Sequence, residues 1–304
     1  QVGETIYDGA VGSAGFIVEA FEFMTTPEKK EKFSASDWEK IQTDTFYGQE
    51  KTSLGYVMGM MNMILHGIES PNVYKGNTLT QNIRDFQEKD RHNVILANPP
   101  FGGKEKAQIQ QNFPVETNAT EMLFIQHFMK MLKLEGRASI IIPEGVLFQS
   151  NNAFKRIKQD LLDGFNVHTI VSLPSGVFLP YSGVKTNILY FDRKGSTTKI
   201  WYYDVTPPFK LTKNKPIAYE HLEEFIELFK NPNKRNQTNG KTYEGCNDWT
   251  VSVEDIVDYD ISAKNPHKVI EVEHLTPTKL LSKIRDNEKK INDFINQIES
   301  LIHG

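Results

Sequence analysis

Asn98-Pro99-Pro100-Phe101 constrains this chain more than any other stretch. It follows the apolar run Asn93-Val94-Ile95-Leu96-Ala97, which predicts a buried strand. Two consecutive prolines lack the N–H groups that a sheet ladder or a helix interior needs, and both fix φ. Pro100 also pushes Pro99 towards an extended conformation. The chain must leave the strand through a stiff, extended turn. That turn carries an amide, a free carbonyl and an aromatic ring to a sheet's carboxyl edge, where open α/β sheets place their ligands.

Such a turn suits methylation of an exocyclic amine. An adenine N6 amine is a poor nucleophile, because its lone pair is delocalised into the ring. The Asn98 side-chain oxygen and the Pro99 carbonyl can accept hydrogen bonds from its two N–H groups. That favours a pyramidal nitrogen and aims the lone pair at an electrophilic methyl. Phe101 can stack on a base that has left its helix, a contact worth roughly 1–3 kcal/mol. Extrusion itself costs a few kcal/mol, so a stacking partner is a physical requirement. A rigid turn with a buried Phe is the competing reading, and the upstream sequence arbitrates.

Thr5 to Ala20 reads as a strand ending near Asp8, then a turn of small residues through Gly9, Ala10 and Gly12. A helix begins near Ser13 and carries Gly15 and Phe16. A turn of this kind lets backbone approach a ligand closely, and the helix start offers free N–H groups. The second strand candidate, Thr45–Gln49, runs into Glu50. A carboxylate there can accept both ribose hydroxyls of a nucleoside, although it stands further downstream than the ~20 residues usual for that role. The polar stretch from Thr25 to Asp44 reads as an insertion that explains the delay. A solvated charge before a helix is the bland alternative for Glu50. A third element, Val73–Asn77, places Asn77 near an adenine edge, or simply in a turn.

These features resemble the amino-methyltransferases that use S-adenosylmethionine, with the cofactor motif ahead of the Asn-Pro-Pro-Phe motif as in the gamma group of adenine-N6 enzymes. Gly48-Gln49-Glu50-Lys51, Met61–Ile68, Gly76-Asn77-Thr78-Leu79, Ala97–Gly102, Ile141–Phe148 and Gly183–Phe191 follow in series. The series resembles the modification subunit of type I restriction-modification systems, specifically from Ile6 to Asp192 and more loosely to about Asp260. The resemblance implies a Rossmann-like α/β fold with a seven-stranded, mostly parallel sheet, one strand antiparallel, and helices on both faces. It implies S-adenosylmethionine as cofactor, held by Asp8, Gly9, Ala10, Gly12, Ser13, Gly15, Phe16, Glu50, Asn77, Thr78 and Leu79. Asn98, Pro99, Pro100 and Phe101 would carry the catalysis on a flipped adenine of DNA. The partners implied are a specificity subunit and a restriction subunit.

The chain departs from the family in places. Where the family reads Asp-Pro-Ala-Cys-Gly-Ser-Gly-Gly-Phe, Gly9 replaces the proline, Val11 the cysteine and Ala14 a glycine. The Ala14 methyl is expected near the cofactor, where it weakens binding. Asn77 stands where many relatives carry an acid. The chain has no initiator Met and starts within a few residues of the first strand, so it reads as a fragment without the family's N-terminal helical domain.

Alternating helices (Ser13–Met24, Thr52–His66, Thr120–Leu134, Asn151–Leu162) and strands (Ala138–Ile142, Val167–Ser172, Lys185–Phe191, Lys199–Val205) agree with that architecture. We expect a catalytic domain over 1–210, an extension over 211–265 and a long helix within 266–304. Gly102–Ala119 reads as a lid or target-contacting loop, and Asn231–Gly245 as a mobile surface loop. From Thr276, a natural N-cap followed by Pro277, a helix runs to Ile302. Ile284, Ile291 and Ile298 recur at heptad spacing, with Leu280, Phe294 and Leu301 beside them and Asn287 interrupting. Leu281, Ile295 and Ile302 widen the stripe. The helix either packs on its own domain or, as the resemblance favours, docks on the specificity subunit.

Other chemistries find little support. Among 304 residues there is one cysteine, so no internal disulfide forms, and the eight histidines show no ligand spacing. His66 and His127 read as packed or capping residues. Lys185 and Asn187 either shape the substrate pocket or are structural. No apolar run spans a membrane, and the composition, 38% hydrophobic, fits a cytoplasmic enzyme. A net charge of -4 gives no global basic excess, so much of the phosphate contact falls to a partner. Lys155-Arg156-Ile157-Lys158 reads as a solvated helix face. Gly102-Gly103-Lys104-Glu105 is no phosphate loop. A free-standing adenine methyltransferase, a protein-glutamine methyltransferase and a non-catalytic scaffold remain the alternatives.

Overall fold

The structure is a computed structural model that describes residues 1–235, 246–267 and 277–303. Among the described residues nine strands form one sheet: β1 (Ile6–Asp8), β2 (Phe46–Glu50), β3 (Asn72–Lys75), β4 (His92–Ala97), β5 (Leu132–Pro143), β6 (Asn166–Ser172), β7 (Thr186–Asp192), β8 (Lys199–Asp204) and β9 (Asp248–Ser252). Their order is β3-β2-β1-β4-β5-β7-β6-β8-β9. β7 runs antiparallel to both of its neighbours, and the other strands from β3 to β6 are parallel. These seven make the expected sheet. The difference is an added edge: β8 pairs parallel with β6, and β9 closes it antiparallel. The extension over 211–265 thus supplies a sheet strand, and residues 1–267 form one compact unit. No helix among the described residues is long and apolar enough to cross a membrane.

The α-helices are α1 (Gly15–Met24), α2 (Pro27–Lys30), α3 (Ala35–Thr43), α4 (Ser53–Leu65), α5 (Ala107–Gln110), α6 (Thr120–Met131), α7 (Glu144–Phe148), α8 (Asn152–Gly164), α9 (Glu223–Lys230) and α10 (Pro277–His303). Strand alternation sorts the core into two faces. Ile6, Val94 and Phe46 pack with α1, α3 and α4, whereas Tyr7, Ile95, Ala97, Ile140 and Leu189 pack with α6 and α8. A third cluster sets Trp201 and Tyr203 of β8 against Phe225 of α9.

Several expectations shift. The helix expected to reach Leu134 stops at Met131, because Leu132 already pairs with His92 across β4 and β5. The supposed lid over 102–119 is pinned: Lys104 bridges to Ala119, Asn112 donates to the carbonyls of Leu79 and Thr80, and Phe113 is buried. Lys158 is no solvated charge. It is buried and donates to the carbonyls of Leu147 and Gln149 (2.8 and 3.0 Å), tying α8 to α7. Lys155 and Arg156 do face outward, paired with Asp258 and Asp160. His127 is buried against the Tyr7 hydroxyl at 2.9 Å, and His66 caps α4 on the Asn62 carbonyl. Most of the loop expected over 231–245, and Thr276, lie outside the described residues.

Described by itself, α10 carries Leu280, Ile284, Ile291, Phe294 and Ile298 as exposed side chains along the expected stripe.

Candidate active site

The strand order reverses between β1 and β4, the switch point where α/β sheets open a crevice at their carboxyl ends. Asp8 ends β1 there, and Asn98 follows β4. A cavity of about 520 Å³ lies at this edge. It is lined by Gly9, Ala10, Glu50, Asn77, Thr78, Asn98 and Pro100, all expected at the site. Its volume falls in the range of roughly 300–1,000 Å³ typical of small-molecule sites.

The turn after β1 is held from three sides. Ala10 N donates to Asp8 Oδ1 at 2.8 Å, Gly12 N to Glu50 Oε2 at 3.0 Å, and Thr78 Oγ1 to the Gly9 carbonyl at 2.6 Å. Gly12 sits at φ +54, the left-handed region that favours glycine. Glu50 is further fixed by Thr52, whose N and Oγ1 both donate to Oε1 at 2.7 Å. Gly9 is packed tightly from behind, since a Cβ there would stand 3.0 Å from Phe128 Cε1 and 3.2 Å from the Tyr7 hydroxyl in the core. The lining therefore fits a nucleoside-type cofactor: a bare turn below, a fixed carboxylate at the end of β2, and the Asn77 amide beside it.

Burial pushes the Asp8 carboxyl up to about 7; the Ala10 N–H opposes this, and the Glu50 charge adds to it. On the far side of the turn, burial pushes His127 down to about 3 and His92 down to about 4, so both rings are neutral under ordinary conditions.

Asn98 carries the feature with the most chemical consequence. Its Oδ1 is buried and has no hydrogen-bond partner among the described residues. A buried acceptor without a donor costs about 1–3 kcal/mol. Phe101 stands beside it and meets Phe178 edge-on, with ring centroids 5.7 Å apart.

Other expected residues are not part of the cavity wall. Asp8, Gly12, Ser13, Gly15, Phe16, Leu79, Pro99 and Phe101 do not line the cavity. Leu79 is wholly buried in the core, and Ser13 offers its carbonyl to Asn62 at 2.8 Å. The Ala14 methyl does not point at the cavity as expected. It packs towards Gly59 of α4 in the core, and the residue sits at φ 64. Its cost is the left-handed backbone, about 1–2 kcal/mol for an L-residue, and not a collision with a ligand.

Sequence reading missed Lys51, Thr52, Gly103, Lys104, Glu105, Thr120 and Phe124, which complete the lining. Lys51 and Glu105 pair at 3.4 Å, linking the end of β2 to the loop after β4. The positions of Lys51 directly after Glu50 and of Glu105 four residues after Phe101 were the available signal.

The fold and this edge are those of the Rossmann-like S-adenosylmethionine-dependent methyltransferases. The chain belongs to the N-6 DNA methylase family, whose model matches residues 1–275. It is 33% identical to the type I restriction enzyme EcoEI methylase subunit of Escherichia coli over 310 residues, covering 99% of this chain and 61% of that one. It is 31% identical to the EcoKI methylase subunit of Escherichia coli K12 over 252 residues, with 75% and 45% covered. A chain from a structural study of type I restriction-modification complex assembly superposes with a TM-score of 0.80 at 39% identity, covering 100% of this chain and 63% of that chain. The EcoKI M protein gives 0.71 at 26% identity, with 84% and 60% covered. The expected likeness to type I modification subunits is borne out. The chain spans between 45% and 61% of the length of these two curated relatives.

Proposed function

We propose that this chain is the catalytic part of a type I modification subunit, which transfers a methyl group from S-adenosylmethionine to adenine N6 in DNA. The orphaned Asn98 Oδ1 carries the reading: it is an acceptor held at a cavity edge with no hydrogen-bond partner among the described residues. An exocyclic amine supplies the missing N–H, and the Pro99 carbonyl takes the second. Phe101 receives the face of the extruded base. Asp8, the Gly9–Gly12 turn and Glu50 hold the cofactor, with Glu50 on its ribose and Asn77 at its adenine. The cofactor supplies a methyl group on a sulfonium, ready for direct displacement by the amine. Asn98 and Pro99 do the protein's part by turning the nitrogen lone pair out of conjugation. A specificity subunit reads the DNA site, which accords with the chain's net charge of -4, and a restriction subunit completes the assembly.

Adenine methylation mapped across the source genome tests this, with and without Asn98→Ala in the full-length gene. Loss at one split motif, two half-sites around a spacer, is the expected result. Loss at a short continuous motif would point to a free-standing enzyme. An unchanged map would overturn the adenine reading in favour of a protein substrate or a scaffold.

A further inference from the structure

Tyr181 lies in the loop between β6 and β7 and is 93% exposed, more than any other large apolar side chain among the described residues. Nothing in the fold uses this ring, yet the loop that presents it is well tied. Lys185, at the loop's end, accepts from Glu144 N at 2.9 Å, and its Nζ reaches Glu144 Oε1 at 2.6 Å. Tyr181 N and Ser182 N both donate to the Phe178 carbonyl, at 2.8 and 3.0 Å. Gly176 takes φ +89 to turn the chain, and a Cβ there would press on Leu179 at 3.1 Å. Phe178 is the ring that meets Phe101 edge-on. The most exposed aromatic among the described residues is thus anchored three residues from the partner of the base-capture ring, flanked by the exposed apolar side chains of Leu179 and Val184.

An extruded base leaves an unstacked gap in the duplex, and closure of that gap returns the base. Apolar side chains that enter between base steps hold such a duplex open. We infer that Tyr181 is a DNA wedge: it enters the duplex beside the target adenine, replaces the stacking that adenine has lost, and keeps the base in the site at Asn98 and Phe101. The inference rests on the reading of the chain as a DNA adenine methyltransferase. A partner protein seated on the same loop is the competing occupant, and it makes no distinction between paired and unpaired target bases.

Single-turnover methylation by the assembled full-length methyltransferase separates the two. The substrates are duplexes carrying the recognised site, with the target adenine either paired to thymine or placed opposite an abasic position. Tyr181→Ala is expected to be slower by about tenfold or more on the paired duplex and within about threefold of wild type on the unpaired one. Tyr181→Phe keeps the ring and retains the wild-type rate on both. Equal loss on both duplexes would overturn the wedge in favour of protein docking, and so would no loss on the paired one. Wild-type protein that methylates neither duplex would refute the adenine reading itself, and the wedge would fall with it.

Discussion

Asp8 ties the turn after β1 to pH, and the coupling can be worked from its surroundings. In the folded chain, burial holds this carboxyl up to about 7 against an ordinary value of 3.8. At about 1.4 kcal/mol per pKa unit, that displacement corresponds to about 4 kcal/mol. Between those two values the unfolded chain has released its proton and the folded chain has not. Rising pH therefore lowers stability across the window, and the whole contribution is gone above about pH 7. Asp8→Asn keeps the Ala10 N–H satisfied through the amide oxygen and has nothing to titrate. Denaturant unfolding of the cofactor-free protein at pH 5 and pH 8 should show wild type losing about 3 kcal/mol relative to Asp8→Asn. The cofactor brings cationic charge, which favours the ionised carboxyl, so its binding at pH 6 should release a proton. Titration calorimetry in two buffers of different ionisation enthalpy reads that proton directly. A stability gap between the two proteins that stays flat from pH 5 to pH 8 would refute the reasoning.

Gly48→Ala would drive a Cβ to 2.2 Å from Val11 Cγ2. Overpacking of this kind costs about 1–3 kcal/mol, and the displaced turn should weaken cofactor binding; calorimetric stability and affinity check both, and no change in either speaks against the close approach. Lys158→Ala removes a charged donor from the carbonyls of Leu147, which keeps Ile261 N at 3.2 Å, and Gln149; at about 1.5–3 kcal/mol per lost hydrogen bond to a charged group, this reads as a lower denaturant midpoint. A midpoint within error of wild type would mean that solvent reaches those carbonyls. Phe101→Ala should weaken capture of the target base by roughly 1–3 kcal/mol in steady-state kinetics on duplex DNA while leaving cofactor affinity intact; an unchanged rate argues against stacking.

Much of this arrangement was legible in the order of residues. The strand ahead of Asn98 announced itself by apolar continuity, and the two prolines allowed it no way forward except a stiff turn. Glu50 was readable because it terminates an alternating strand. Both signals are local, which is why a single sequence carries them. The rest depends on partners distant in the chain. The pinning of 102–119 rests on Asn112 reaching Leu79 and Thr80, more than thirty residues away. β9 is short and carries a polar start, and it becomes a strand only because β8 offers it an edge. Lys158 sits in a run of charges and looks solvated until α7 places two carbonyls above it. Ala14 looked like a problem for the ligand because its backbone conformation, which turns the methyl into the core, has no signature in residue type.

β1 and β4 are adjacent and in parallel register, Ile6 against Val94 and Tyr7 against Ile95. Neighbouring strands lie about 4.8 Å apart, a spacing fixed by peptide hydrogen bonding and not by any side chain. In the proposed reaction one strand end serves the methyl donor and the other its acceptor. The sheet therefore acts as a ruler: the gap across which the methyl travels is inherited from the ladder itself. Loops and attached subunits can change which base is delivered without recalibrating that gap.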